Sequence, residues 1–252
     1  MLKSNSCLTS KLFSVLFAAL GMAWAVNSHA AQHKNDMQDV YKQAIASPFR
    51  TDDDRAADAK RKPLEFLQFA GVRPGMRVLD VAAGGGYTTQ LLALVVGSGG
   101  MVWAQEPELN EGLLKRITSH SQTNISAAVL EYEDPVPYEA TKLDLITLIM
   151  NYHDIAYMPV DRVLMDKRLF AALKPGGHLV VMDHSAKEGS GVADAKTLHR
   201  IDEKVVKDEV EQAGFKLEKE GDFMRNPDDP RDQAFFNTKI PTDKFALLFV
   251  KP

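Results

Sequence analysis

The segment Val78-Leu79-Asp80-Val81-Ala82-Ala83-Gly84-Gly85-Gly86-Tyr87-Thr88-Thr89 constrains the fold more than any other part of this chain. An apolar run ends in an acid, passes through small residues and enters a helix-compatible stretch. Small residues let a backbone come close to a ligand. At the carboxyl end of a first strand, such a loop lies where open α/β sheets bind nucleotides. The amides that open the following helix favour a negative group. The pattern is not the dinucleotide fingerprint: its three glycines would fall at Ala82, Gly84 and Tyr87. No G-x-x-x-x-G-K-[ST] phosphate loop is present either.

Strand and helix patterns alternate from there on. Strands are expected at Arg77–Val81, Met101–Gln105, Ile125–Glu131, Leu143–Met150, His178–Asp183, Phe215–Glu220 and Lys244–Val250. Leu143–Met150 is nearly all apolar, as befits a central strand covered on both faces. Helices are expected at Thr88–Val96, Pro107–His120, Asp161–Leu173 and Glu203–Ala213. Another runs from Asp52-Asp53-Asp54 to about Ala70, with a break or restart at Pro63. The acid triplet suits the positive end of a helix. Such alternation implies a mostly parallel sheet with helices on both faces.

The first thirty residues differ from the rest. Lys3 and Lys11 precede an apolar run from Leu12 to Val26, and no acid occurs before Asp36. Ser28 and Ala30 fit a cleavage site after Ala30. The run is shorter than the ~20 residues of a membrane span. The expected organisation is a signal peptide over 1–30, a leader over 31–50 and one domain over 51–252. The mature protein would be periplasmic or secreted, without stable membrane insertion; an uncleaved anchor is the rival reading. The only cysteine, Cys7, lies within the signal, which leaves no thiolate chemistry in the domain. The net charge of -4 and the lack of a basic stripe place nucleic acid below a small molecule as partner. Nothing in the sequence sets the oligomeric state.

The glycine-rich segment resembles motif I of class I S-adenosylmethionine (SAM)-dependent methyltransferases. The order of the rest agrees. Val72-Arg73-Pro74-Gly75-Met76 resembles the lead-in to strand one, and Leu173-Lys174-Pro175-Gly176-Gly177-His178 the turn before strand five. The chain also resembles a bacterial subgroup of exported methyltransferases through Asn151-Tyr152-His153-Asp154, His199-Arg200-Ile201-Asp202 and Arg225–Asp232.

The resemblance implies a Rossmann-like sheet of seven strands, the last antiparallel, and SAM as cofactor. It implies that Asp80, Ala82, Gly84, Gly86 and Tyr87 shape the methionine end of the pocket. Ala82 stands where the family's first glycine usually falls. Glu106 would hold the ribose, and Glu133 or Asp134 would face the adenine. Asn151 would border both cofactor and acceptor.

Methyl transfer needs positioning and sometimes removal of a proton. His153 is the first candidate base, because imidazole titrates near neutral pH; its structural alternative is to cap a turn. Asp183 and His184 could add a second polar wall. His199, Arg200 and Asp202 could bind an anionic acceptor or simply open a helix. No histidine or acid has metal-ligand spacing, so no metal is expected. The expected function is methyl transfer to a small molecule. The alternative is a noncatalytic or repurposed exported protein that binds SAM or a nucleoside.

Overall fold

The computed structural model describes residues 36–119 and 123–252. The expected signal peptide lies outside the described residues. The chain divides into two units, 1–42 and Gln43–Pro252. In the first, residues 36–42 are helical; the second carries the sheet. Among the described residues, no helix is long and apolar enough to cross a membrane.

In the second unit, helices α1 (Asp52–Arg61) and α2 (Pro63–Ala70) precede strand β1 (Arg77–Val81) and helix α3 (Tyr87–Val96). Strand β2 (Met101–Glu106), helix α4 (Glu111–Ser119) and strand β3 (Ile125–Val129) follow. Strand β4 (Leu143–Ile149) leads into two helices, α5 (Tyr152–Tyr157) and α6 (Arg162–Ala172). Strand β5 (Leu173–His184), helices α7 (Ala195–Leu198) and α8 (Glu203–Gln212), and strands β6 (Lys216–Gly221) and β7 (Lys244–Val250) complete it.

The seven strands run in the order β3-β2-β1-β4-β5-β7-β6. β1 pairs in parallel with β2 and β4, and β4 with β5, whereas β7 is antiparallel to both β5 and β6. This is the expected Rossmann-like sheet. Chain order reverses between β1 and β4, so a cleft opens at their carboxyl ends. Leu79, Leu143, Ile146, Val181 and Phe249 are among the apolar side chains buried against the helices.

The local differences have physical causes. The expected first helix is two helices, because Lys62 takes a left-handed conformation (φ 46°) and Pro63 starts α2. Thr51, not an acid, caps α1; Asp54 returns a bond to the Thr51 amide and completes a capping box. α4 starts at Glu111 rather than Pro107, after Asn110 accepts the Leu113 amide. β3 ends at Val129, two residues early. β5 starts at Leu173, not His178, so Lys174–Gly177 belongs to the strand. A Cβ on Gly177 would sit 2.9 Å from the Leu143 carbonyl, so glycine is required at this close approach of β4 and β5.

Candidate functional site

The loop after β1 is fixed from below, in front and above. Below it, Asp80 faces Thr147 across the β1–β4 pair. Thr147 donates to Asp80 Oδ1 at 2.7 Å, and Thr89 of α3 donates to Oδ2 at 2.6 Å. The carboxyl therefore braces strand to helix. Burial pushes its pKa up to about 6 despite these two hydroxyl bonds.

Ala82 begins the loop with φ 52°, in the left-handed region that favours glycine. Its amide donates to Gln105 Oε1 (3.1 Å), and Gln105 Nε2 donates to the Leu130 carbonyl (2.6 Å). Gln105 thus links the loop to the end of β3. In front, Glu106 at the end of β2 accepts the Gly84 amide, and the Tyr132 hydroxyl at 3.2 Å. Burial raises the pKa of Glu106, against those two donors.

Above the loop, Arg116 of α4 donates through Nε to the Gly85 carbonyl (2.6 Å). Its other nitrogens reach both oxygens of Asp54. Tyr87 donates to Asp58 Oδ1 at 2.7 Å, under the guanidinium of Arg61, 4.7 Å from the ring centre. Burial and the Asp58 carboxylate push its pKa upward.

Asn151 joins this loop to the end of β4: its Nδ2 donates to the Ala82 carbonyl (2.9 Å) and the Ile149 carbonyl (3.1 Å). The next residues form α5, a helix that is not among those expected from the sequence. In α5, His153 is buried. Its Nδ1 lies 2.6 Å from Asp183 Oδ1, and its amide donates to Asp183 Oδ2 at 2.8 Å. Nε2 lies 3.2 Å from Asp154 Oδ1 without hydrogen-bond geometry.

Burial opposes a charge on the His153 ring, but Asp154 and Asp183 outweigh it and raise its pKa to about 9. His184 is its opposite. It is stacked on Phe235 at 4.6 Å, its Nδ1 is 2.7 Å from Thr242 Oγ1, and burial with nearby Lys244 lowers its pKa to about 2.

A cavity of about 1240 Å³ runs along these groups. It brings together Asp80, Ala82, Gly84, Tyr87, Asn151 and His153 of the expected residues, with Asp154, His184 and Phe235. Gly86, Glu106, Glu133 and Asp183 are not in its wall. Glu106 stands behind Gly84, and Asp183 acts on the cavity through His153. Of the residues after β3, Asp134 is paired with Arg168 (3.4 Å), and it is Tyr132 that reaches Glu106.

Arg200 is fully buried on Asp229 (2.7 Å), and Asp202 caps α8. Neither lines the cavity. Arg116, Gln105 and Phe235 were missed by sequence reasoning. Only Phe235-Phe236, an exposed aromatic pair after a turn-rich stretch, carried a signal.

The wall fits the expected cofactor. A Cβ on Gly84 or Gly85 would meet nothing within 4 Å, so both glycines border open space. The ten-residue helix α3 has Gly86 at its N-cap and no side-chain cap, which leaves opening amides for a carboxylate. Gly84 and Asn151 line this wall, while Glu106 stands behind it and fixes the Gly84 amide.

Comparison with known proteins agrees. Residues 54–220 match the family model described as a methyltransferase domain. Ubiquinone/menaquinone biosynthesis C-methyltransferase UbiE of Burkholderia mallei is 30% identical over 146 residues, 55% of this chain and 58% of that relative. The Burkholderia vietnamiensis enzyme of the same name is 30% identical over 46% of each chain. The chain thus spans about half the length of these curated relatives.

Two solved structures share the fold. A putative sarcosine dimethylglycine methyltransferase from Galdieria sulphuraria has a TM-score of 0.57 at 16% identity, over 78% of this chain and 87% of that one. A SAM-dependent methyltransferase from Aquifex aeolicus has a TM-score of 0.54 at 19% identity, over 75% and 88%. The chain belongs to the methyltransferase-domain family and has the class I, SAM-dependent fold, and SAM is the cofactor that family and fold assign to its cleft.

Proposed function

We propose that this protein transfers the methyl group of SAM to a small-molecule acceptor. The observation that carries the reading is the continuity of the cavity. Its glycine-rich wall at Ala82–Gly85 leads directly to a second wall of Asn151, His153, His184 and Phe235. Its volume of about 1240 Å³ exceeds the upper end of ordinary ligand pockets, roughly 1,000 Å³, and has room for donor and acceptor together. When bound along Ala82–Gly85, SAM would supply an electrophilic methyl group, and Asn151 and His153 would border the acceptor that takes it up.

Asn151 fixes the lip between the two ligands, and Asp183 orients His153 beside the acceptor. The aromatic wall and the name of the curated relatives make phenolic, quinol-type acceptors the first class to screen. The protein acts after export, as the basic and apolar start with Ser28 and Ala30 indicates. Mass spectrometry of the secreted or periplasmic form should give an N-terminus at Ala31.

The test is calorimetric titration of SAM and its demethylated product. Micromolar binding, weakened at least ~10-fold in Glu106→Ala, is expected; a hydrogen-bonded charged contact contributes roughly 1.5–3 kcal/mol. His153→Ala should keep that binding and lose turnover. No binding by folded protein would overturn the assignment. Unchanged turnover in His153→Ala, once an acceptor is known, would remove His153 from the reaction.

A further inference from the structure

We propose that His153, Asp154 and His199 bind a divalent transition-metal ion at the acceptor end of the cavity. One donor atom from each lies within 4.8 Å of the others. Asp154 Oδ1 is 3.2 Å from His153 Nε2 and 3.0 Å from His199 Nδ1. Ligands on a tetrahedral zinc with bonds of about 2.0–2.2 Å stand about 3.3–3.6 Å apart, so two of the three separations need to widen by only a few tenths of an ångström.

A second observation is independent of the cluster. The His153 side chain is 2% exposed, and its Nε2 has no hydrogen-bond partner. Buried polar atoms are nearly always partnered, so one that is not calls for an explanation. The other ring nitrogen, Nδ1, is held 2.6 Å from Asp183 Oδ1. Asp183 is itself locked, since it also accepts the amides of His153 and His184. Asp183 thereby claims the Nδ1 proton and turns Nε2 toward Asp154 and His199. A carboxylate behind a histidine in this way is the usual support of a metal-bound imidazole. An ion would take the place of a proton on Nε2.

The donor set selects the ion. Two imidazoles and one carboxylate suit zinc, cobalt or ferrous iron and not the all-oxygen sites of calcium or magnesium. Three protein ligands leave coordination open, as in catalytic rather than structural sites. His153 and Asp154 both line the cavity. An acceptor oxygen could complete the sphere; this last step rests on the methyl-transfer reading, and metal binding itself does not.

The test is to titrate the purified, metal-stripped full-length protein with Co²⁺ and Zn²⁺. The readouts are the visible Co²⁺ spectrum and the metal-to-protein ratio; SAM calorimetry is run on the same preparation. One equivalent of metal is expected. His199→Ala and Asp154→Asn should each weaken it at least ~10-fold, and His178→Gln, at a surface pair, should not. In case the variants misfold, histidine NMR of the wild type should show zinc shifting the rings of His153 and His199 but not that of His178.

No saturable uptake by folded wild type, or uptake indifferent to both ligand variants, would overturn the proposal. Metal uptake without SAM binding would support the site while sinking the methyl-transfer reading, so the two failures are distinguishable.

Discussion

Arg116 on α4 grips Asp54 on α1 with two bonds of 2.7 and 2.8 Å while its Nε holds the Gly85 carbonyl at 2.6 Å. One side chain thus ties the cofactor loop to the first helix of the domain. The pair is well buried, with the two side chains 11% and 4% exposed. Arginine suits the position because its planar fork meets a carboxylate with two parallel bonds. Removing one partner leaves the other charge buried and uncompensated.

Arg116→Met should therefore cost about 3 kcal/mol in stability. It should also weaken SAM about 10-fold by releasing a loop that is now preorganised. Urea unfolding measures the first effect and calorimetry the second. A variant with wild-type stability would show that the pair does not hold the fold.

Ala82 supplies a prediction of the opposite sign. Its φ of 52° places an alanine where glycine is unstrained, at a cost of roughly 1–2 kcal/mol. Glycine gains back part of that cost as unfolded-state freedom, roughly 0.5–1 kcal/mol. Ala82→Gly should stabilise the protein by up to ~1 kcal/mol without loss of cofactor affinity, because both bonds to the Ala82 backbone remain. Thermal melts with and without SAM test it. A lower melting temperature would mean that the Ala82 methyl, buried at 4% exposure, packs better than the strain costs.

What was legible in the sequence follows from how far each interaction reaches along the chain. Asp80 and the glycines were legible because strand, loop and helix start lie within about a dozen neighbours. β4 was legible because a strand covered on both faces has no polar alternation. Lys174–Gly177 read as a turn, since Pro and Gly usually stop a helix. Their pairing with β4 depends on Leu143, some thirty positions away.

Arg116 and Asp54 are 62 positions apart, and no local pattern joins them. The same holds for His199, which reaches Asp154 from 45 positions downstream. A search for metal-ligand spacing on one helix cannot find such a group. The acid triplet was half legible: its helix-opening place was clear, but the partner of Asp54 was not.

Asp80 gives the domain a pH dependence that can be worked out in sign. Its folded pKa, about 6, lies above the unfolded value near 3.8, because burial disfavours the charge. A group raised on folding contributes fully below its unfolded pKa, and that contribution is lost as pH climbs through the folded one. Stability attributable to Asp80 should fall between about pH 4 and pH 6 and then level off. Two pKa units correspond to about 3 kcal/mol.

Asp166, raised to about 7 by burial on α6, adds a loss of the same sign that extends to about pH 7. Asp80→Asn keeps an acceptor for one threonine and a donor for the other, but removes the charge. Its stability should therefore drop less than that of wild type between pH 4 and pH 7.5, by about 3 kcal/mol. Denaturant midpoints at those two pH values, for wild type, Asp80→Asn and Asp166→Asn, measure each share. Equal slopes for wild type and Asp80→Asn would mean that Thr89 and Thr147 fully compensate the buried carboxylate, and that Asp80 titrates in the folded protein as it does in the unfolded chain.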